Sequence, residues 1–373
     1  MAELNELRDA VLAWALQHGV LGESAVGDAG VVRGEPSILP FRPEHAEYFR
    51  TRKIVRVLAT RRTTRHELII HSRLRVAKTK IAELTGLFDA AFRDDNVRLK
   101  IDLSKPFKVD QAVQSYGRFV PIHLAGDRIA CGSSVGMGNQ RNAGTLTALA
   151  RRLTGGDELY GLSCNHVVGG CSTARPGTPV VVPGIQDVSA EHDRIEVVGH
   201  HHAAAAMSQG LPSVFDISRN SDLACFRLHD PDRLSSLQGS GEDAYDTPTG
   251  FARPRVGLAV KKWGRSTGLT NGRISQIITG GESVDYNVTS YYGPMNSQIF
   301  KGTVYFNSVY EVDPSGGPFS LGGDSGALVV TNTGEKEKLV GIVVAGGREK
   351  SLVLPLKPML KLLELKLIGE HNA

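Results

Sequence analysis

Apolar positions recur at helical spacing in the first residues of the chain. Leu4, Leu7, Val11, Trp14 and Ala15 share one face, which predicts a helix over 3–17. The following stretch, 20–50, holds several Gly and Pro residues and reads as loop. Short runs then predict strands at Ile54-Val55-Arg56-Val57-Leu58 and at Glu67-Leu68-Ile69-Ile70. Ile81, Leu84, Leu87, Phe88, Ala91 and Phe92 return to helical spacing, and a further short strand is expected near 97–103. These elements make a small α+β domain over residues 1–110, with no recognisable chemistry of its own, and a regulatory or substrate-recruiting role is expected for it.

From 111 to 373 the pattern changes. Short apolar runs alternate with turn signals at Gly126-Asp127, Gly155-Gly156-Asp157, Pro183-Gly184, Asn271-Gly272, Gly280-Gly281 and Gly316-Gly317. Regular short strands of this kind predict a mainly β barrel or sandwich. Pro355 and Pro358 precede Met359, Leu362, Leu363 and Leu367, which predicts a terminal helix docked on the β domain.

Composition narrows this picture. Forty-two glycines in 373 residues exceed the usual ~7 % and favour many turns. With 41 % hydrophobic and 22 % charged residues, the chain is neither collagen-like nor largely disordered. No apolar run is long enough for a membrane span. A net charge of +4 excludes a wholesale nucleic-acid coat. The start, Met1 to Leu7, has no basic residue and no long apolar core, so no signal peptide is expected. Cys131, Cys164, Cys171 and Cys225 form no CxxC pair. They read as free thiols in a reducing, cytoplasmic setting.

One local charge imbalance stands out. Residues 50–80 carry eleven basic side chains against one acid, Glu67. This reads first as the solvated face of a small domain, because aromatics for base stacking are absent. The alternative is a docking site for an acidic protein or a nucleic acid. His200, His201 and His202 read as a solvated loop rather than a metal site.

Three passages carry chemistry: Ser163-Cys164-Asn165-His166-Val167, Asn220-Ser221-Asp222-Leu223-Ala224-Cys225-Phe226 and Gly322-Gly323-Asp324-Ser325-Gly326-Ala327-Leu328-Val329-Val330. A serine hydroxyl needs a neighbouring base to act as a nucleophile at neutral pH. Glycines beside it let the backbone curl until two N–H groups point at one spot, as an oxyanion requires.

These passages resemble the trypsin-like, chymotrypsin-fold serine peptidases, in the intracellular and bacterial branch, where Asn-His-Val replaces the more usual Ala-His-Cys. The order His, Asp, Ser is the family's order. Arg141-Asn142-Ala143-Gly144-Thr145-Leu146 and Lys262-Trp263-Gly264-Arg265-Ser266-Thr267-Gly268 add to the resemblance. It covers about 130–365 and implies two antiparallel six-stranded barrels with a cleft between them.

Carried over, the resemblance makes Ser325 the nucleophile, His166 the base and Asp222 the group that orients it. Asp222 is preferred to Asp187, Asp193 and Asp216 because an apolar run follows it. Backbone N–H groups of Gly323 and Ser325 would form the oxyanion hole. Phe319, Val344, Ala345 and Gly346 would shape the substrate pocket, with no carboxylate to pair a basic side chain. An apolar or small residue is therefore expected before the cut. Asp324 would need a partner from within the chain. The expected activity is hydrolysis of a protein or peptide substrate without metal or cofactor. The alternatives are a non-catalytic binding protein on the same fold and a nucleic-acid-responsive adaptor using segment 50–80.

Overall fold

The computed structural model describes residues 4–22, 34–61, 66–103, 107–108, 121–189, 194–209 and 216–373. The expected domain boundary at 110/111 lies outside them. At the N-terminus, helix α1 (Leu4–Gln17) and helix α2 (Lys78–Ala91) cover a sheet of β1 (Ile54–Arg61), β2 (His66–Ser72) and β3 (Val97–Leu103). β1 and β2 are antiparallel, whereas β2 and β3 are parallel and joined through α2. Side chains alternate across a strand. Val57, Ala59, Leu68 and Ile70 therefore join α1 and α2 in one core, and Leu58 and Ile69 join the core of the large β domain.

A short β4 (Phe107–Lys108) precedes the β domain. Its first half contains β5 (Leu124–Ala125), β6 (Arg128–Cys131), β7 (Ser134–Met137), β8 (Gly144–Thr145), β9 (Ala148–Arg152) and β10 (Leu159–Ser163). One helical turn, α3 (Asn165–Val168), leads on to β11 (Pro179–Val182), β12 (Glu196–Ala204), β13 (Ala224–Leu228), β14 (Leu234–Gln238) and β15 (Tyr245–Asp246). The second half contains β16 (Ala259–Gly264), β17 (Gly268–Gly293), β18 (Asn296–Ser315), β19 (Leu328–Thr331), β20 (Leu339–Gly346) and β21 (Ser351–Pro355). Helix α4 (Leu356–Leu362) and β22 (Leu365–Leu367) close the chain.

The fold is mainly β, as the sequence predicts, but the two halves differ. In the second half, β16, β19, β20, β21, β18 and β17 pair in a closed ring, since β16 also bonds to β17. In the first half, eight strands follow the open path β22-β9-β10-β13-β12-β11-β7-β8, and β15-β14-β6-β5 form a separate small sheet.

Two sequence expectations change. Asn271-Gly272 and Gly280-Gly281 are not turns; they lie inside β17, whose 26 residues pair with the 20 of β18. A Cβ at Gly272 would come within 2.8 Å of the Asp313 carbonyl across the ladder. Gly281, with φ +104°, sits where the pairing register shifts between Thr279 and Glu282. At the C-terminus, Leu367 lies on β22 rather than on a helix, because Glu364 turns the chain at φ +55°.

The long hairpin reaches beyond the ring and joins the N-terminal unit. β1 pairs with β17 at Ala59↔Thr279 and Thr60↔Ile278, and β4 pairs with it at 284–285. One sheet thus runs from β3 into the ring.

Candidate active site

β10 feeds directly into α3, whose first turn is closed by the N–H groups of Val167 and Val168 on the Cys164 carbonyl, both 3.0 Å. Asn165 latches this turn to its surroundings. Its amide donates to Ser172 Oγ and Ala205 O, and its Oδ1 accepts from the Ser172 N–H, each at 2.8 Å. The latch fixes His166, which is buried and held twice by one carboxylate. The His166 N–H donates to Asp222 Oδ1 at 3.0 Å, and Nδ1 bonds to Asp222 Oδ2 at 2.6 Å. That leaves Nε2 as the free ring nitrogen. A further donor completes Asp222: Tyr286 Oη, 3.0 Å from Oδ2, with its ring 5.2 Å from the imidazole.

The other aspartates considered are engaged elsewhere. Asp216 caps a short 3-10 turn by accepting from the Ser218 N–H at 2.9 Å. Asp187 forms a buried ion pair with Arg265, whose Nε lies 2.6 Å from Oδ2. Asp193 lies outside the described residues.

The loop 322–327 carries Ser325 between two glycines in left-handed conformation, Gly323 at φ +97° and Gly326 at φ +95°. The first half grips this loop through Thr145. Its N–H donates to Ser325 O at 2.8 Å and its Oγ1 donates to Gly323 O at 3.0 Å. Thr147 Oγ1 adds a bond to Gly326 O at 2.5 Å. The N–H groups of Gly323 and Ser325 have no acceptor among the described residues. Ser325 Oγ donates a weak bond to Val344 O at 3.4 Å, and no hydrogen bond joins it to His166.

Asp324 does find its partner within the chain. Lys262 Nζ lies 3.4 Å from Oδ2, and both side chains are fully buried. The carboxylate also accepts from the N–H groups of Ser266 (2.8 Å), Thr267 (3.2 Å) and Leu321 (2.9 Å), and from Thr267 Oγ1 (2.7 Å). Burial lowers the ammonium pKa of Lys262, and Asp324 opposes that shift.

Ser325, His166 and Gly323 line one cavity of about 670 Å³, closed on one side by the β17–β18 hairpin. Arg141 and Lys301 also line it, and Asp285, the acid on its wall, accepts a 2.5 Å bond from Thr303 Oγ1. Phe319, Val344, Ala345 and Gly346 are not among its lining residues. Phe319 is wholly buried with Val260, Ile274 and Val312, while Val344 and Ala345 belong to the main core. A Cβ at Gly346 would collide with Ser320 Oγ.

The four cysteines are buried free thiols. Cys164, His166 and Asp222 place ligand-type atoms within 4.8 Å of one another. These atoms are already committed. The Cys164 thiol is pushed well above its usual range by burial and by Asp222, and it donates to Val343 O at 3.3 Å. His200, His201 and His202 lie on β12, not on a loop. Buried His201 bonds to Val168 O through Nδ1 at 2.8 Å.

Much of the basic segment is used internally. Arg56 pairs with Glu282 at 2.6 Å, Arg52 Nε donates to Arg75 O at 3.0 Å, Lys53 Nζ donates to Gly19 O at 2.6 Å and Lys80 lies over the Tyr48 ring. Arg62 and Arg65 lie outside the described residues. Nothing here supports a nucleic-acid or acidic partner for this segment. Among the described residues no helix is long and apolar enough to cross a membrane.

Sequence reasoning missed Tyr286 and the roles of Thr145 and Lys262. Lys262 had a readable signal. It shares a face of β16 with Val260, and an inward lysine demands a buried anion. Tyr286 had none, because its strand reads as several short ones.

No family model matches the chain, and no curated protein matches it. Among solved structures it is similar to Protease A of Thermobifida fusca, at 17 % identity and TM-score 0.39, over 64 % of this chain and 99 % of that one. It is similar to a Nocardiopsis protease at 19 % identity and TM-score 0.39, over 64 % and 97 %. It is similar to a Cellulomonas bogoriensis chymotrypsin at 14 % identity and TM-score 0.38, over 64 % and 97 %.

Proposed function

We propose that this protein is a serine endopeptidase that hydrolyses peptide bonds of a protein substrate through an acyl-enzyme. The observation that carries the reading is a single cavity. Ser325 and His166 both face it, and His166 is oriented by the buried Asp222 at 2.6 Å. A scissile carbonyl seated there meets Ser325 Oγ, which leaves its weak contact with Val344 O and passes its proton to His166 Nε2. A tetrahedral intermediate forms with its oxygen anion toward the unengaged N–H groups of Gly323 and Ser325. The imidazolium, balanced by Asp222, returns the proton to the departing amine as the C–N bond breaks. Water then attacks the ester by the same route, releasing the acid and restoring Ser325.

Lys262 and the Ser266–Thr267 backbone take no part in proton transfer. They fix Asp324, and so the direction in which the next residue presents its N–H and hydroxyl. Asn165 and Thr145 do the same for His166 and for the loop carbonyls.

The test is labelling by a fluorophosphonate, in which Ser325 Oγ bonds to phosphorus and fluoride leaves. The wild type is expected to label at Ser325, and Ser325→Ala is expected not to. Failure of the folded wild type to label or to cleave any member of a broad peptide library returns the chain to a non-catalytic binding role.

A further inference from the structure

Asp222 and His166 sit in the first half of the β domain, yet the third group on Asp222 comes from far away in the chain. Tyr286 belongs to β17, in the part of the hairpin that extends beyond the closed ring. Its hydroxyl donates to Asp222 Oδ2, the same oxygen that accepts His166 Nδ1. Its ring lies 5.2 Å from the imidazole and meets Phe306 edge-on at 6.4 Å. Burial and the Asp222 charge push the phenol pKa well above its usual value. The hydroxyl therefore stays protonated and acts as a donor. Cys164 and Cys171 also bear electrostatically on Tyr286, and both thiols are held protonated by burial and Asp222.

The same strand is held from its other side. Glu282, Val284 and Tyr286 occupy alternate positions of β17 and are all buried, so they form one row on one face. At one end of the row Glu282 Oε1 accepts from Arg56 of β1 at 2.6 Å, and Arg56 is itself braced by His71 at 2.9 Å. At the other end is Asp222. β1 and β4 fix the strand by backbone pairing at 278–279 and 284–285.

We propose that Tyr286 is a positioning residue for the Asp222–His166 pair, and that the N-terminal unit sets its place through the Arg56–Glu282 contact. This deepens the peptidase reading and rests on it. Two donors on Oδ2 fix the carboxylate plane, and so the plane of the imidazole. They also share the oxygen's lone pairs. Loss of the phenol leaves a buried carboxylate with less compensation, which holds a proton on His166 more tightly.

The experiment uses the full chain and Tyr286→Phe, which keeps the ring and removes the donor. A hydrogen bond to a charged group predicts a fall in kcat of roughly ten- to a hundred-fold, with KM little changed. The acid limb of the pH profile is expected to move to higher pH. The low-field proton resonance of the His166–Asp222 bond, read by NMR, is expected to shift with it. A merely structural tyrosine would move neither the limb nor the resonance. Wild-type values for rate, limb and resonance would overturn the positioning role.

The link to the N-terminal unit is read by a double-mutant cycle with Glu282→Gln, or with Arg56→Lys if that variant is poorly folded. Either is expected to slow the wild type several-fold and to add little in the Tyr286→Phe background. Fully additive losses would overturn the link. The NMR arm separates the two levels. A wild type that ignores the fluorophosphonate, but whose resonance shifts in Tyr286→Phe, sinks the peptidase reading and leaves the positioning contact standing.

Discussion

Two wholly buried aspartates, one bonded to His166 and one next to Ser325 in the chain, differ in their surroundings. Asp222 is held by an imidazole, a backbone N–H and a phenol, drawn from α3 and β17. Asp324 is held by an ammonium, three backbone N–H groups and a hydroxyl, drawn from β16, the turn after it and Leu321 just ahead of Asp324 itself. Both oxygens of Asp324 are tied, to Lys262, Ser266, Thr267 and Leu321, so this carboxylate is a fixed anchor. Asp222 holds His166, an imidazole that lines the cavity together with Ser325. On the proposed reading, the same residue type in equal burial serves shape in one region and proton transfer in the other.

The largest expected effect tests Asp222. Asp222→Asn keeps the volume but favours the wrong imidazole tautomer, and turnover should fall about 10⁴-fold. The unfolding midpoint should move far less than the rate. A variant that stays folded and cleaves like the wild type would remove the distinction between the two carboxylates.

Asp324 should respond in the opposite sense. Lys262→Met strips the cation from a buried carboxylate, a loss of roughly 3–5 kcal/mol in stability by denaturant titration. Adding Asp324→Asn should recover part of that stability, though not activity.

A pH effect follows from the junction between the N-terminal unit and the hairpin. Burial first, and Arg56 next, hold the His71 imidazole down to about 3. In the unfolded chain it titrates near about 6.5. Between those values the unfolded state binds the proton and the folded state does not. Stability is therefore full above about pH 6.5 and drains away as the pH falls toward 3. His123, lowered to about 4 chiefly by burial, acts in the same direction. Thermal unfolding should come at lower temperature at pH 5 than at pH 7, and His71→Gln should flatten the dependence.

The smallest effect concerns charge at the cavity. Arg141 and Lys301 face it, while Asp285 is tied to Thr303. Peptides with acidic residues near the scissile bond should be cut faster. Reversing both cations should cut that advantage several-fold, more at low salt than at high salt. Profiling of a peptide library at two ionic strengths reads this directly.

How much of this was legible in the sequence depends on whether the signal is local. The helix at Leu4–Gln17, the α2 periodicity and the turn-rich β region follow from side-chain spacing over a few residues. His166, Asp222 and Ser325 stand out as candidates because each sits in a short passage with distinctive neighbours: Asn165 as latch, Leu223 as the lead into a strand, and two glycines for the curl. The resemblance implied two six-stranded barrels, but the open path of the first half was not readable, since strand partners are chosen by packing across long separations. The long hairpin was hidden by Asn271-Gly272 and Gly280-Gly281. There glycine answers crowding and a bulge rather than a reversal of the chain. Tyr286 was lost with it.

The pairing of β1 and β4 with β17 bears on solubility. A strand that leaves its ring carries a row of backbone donors and acceptors along its outer side, and such an open edge invites a strand from another molecule. Residues 278–279 and 284–285 are covered by the chain's own N-terminal part, and Arg56 neutralises the buried Glu282 between them. A truncated protein lacking this cover would present a bare template with an unbalanced charge beside it. β1 and β4 thus occupy an edge on which a neighbouring molecule's strand could otherwise pair.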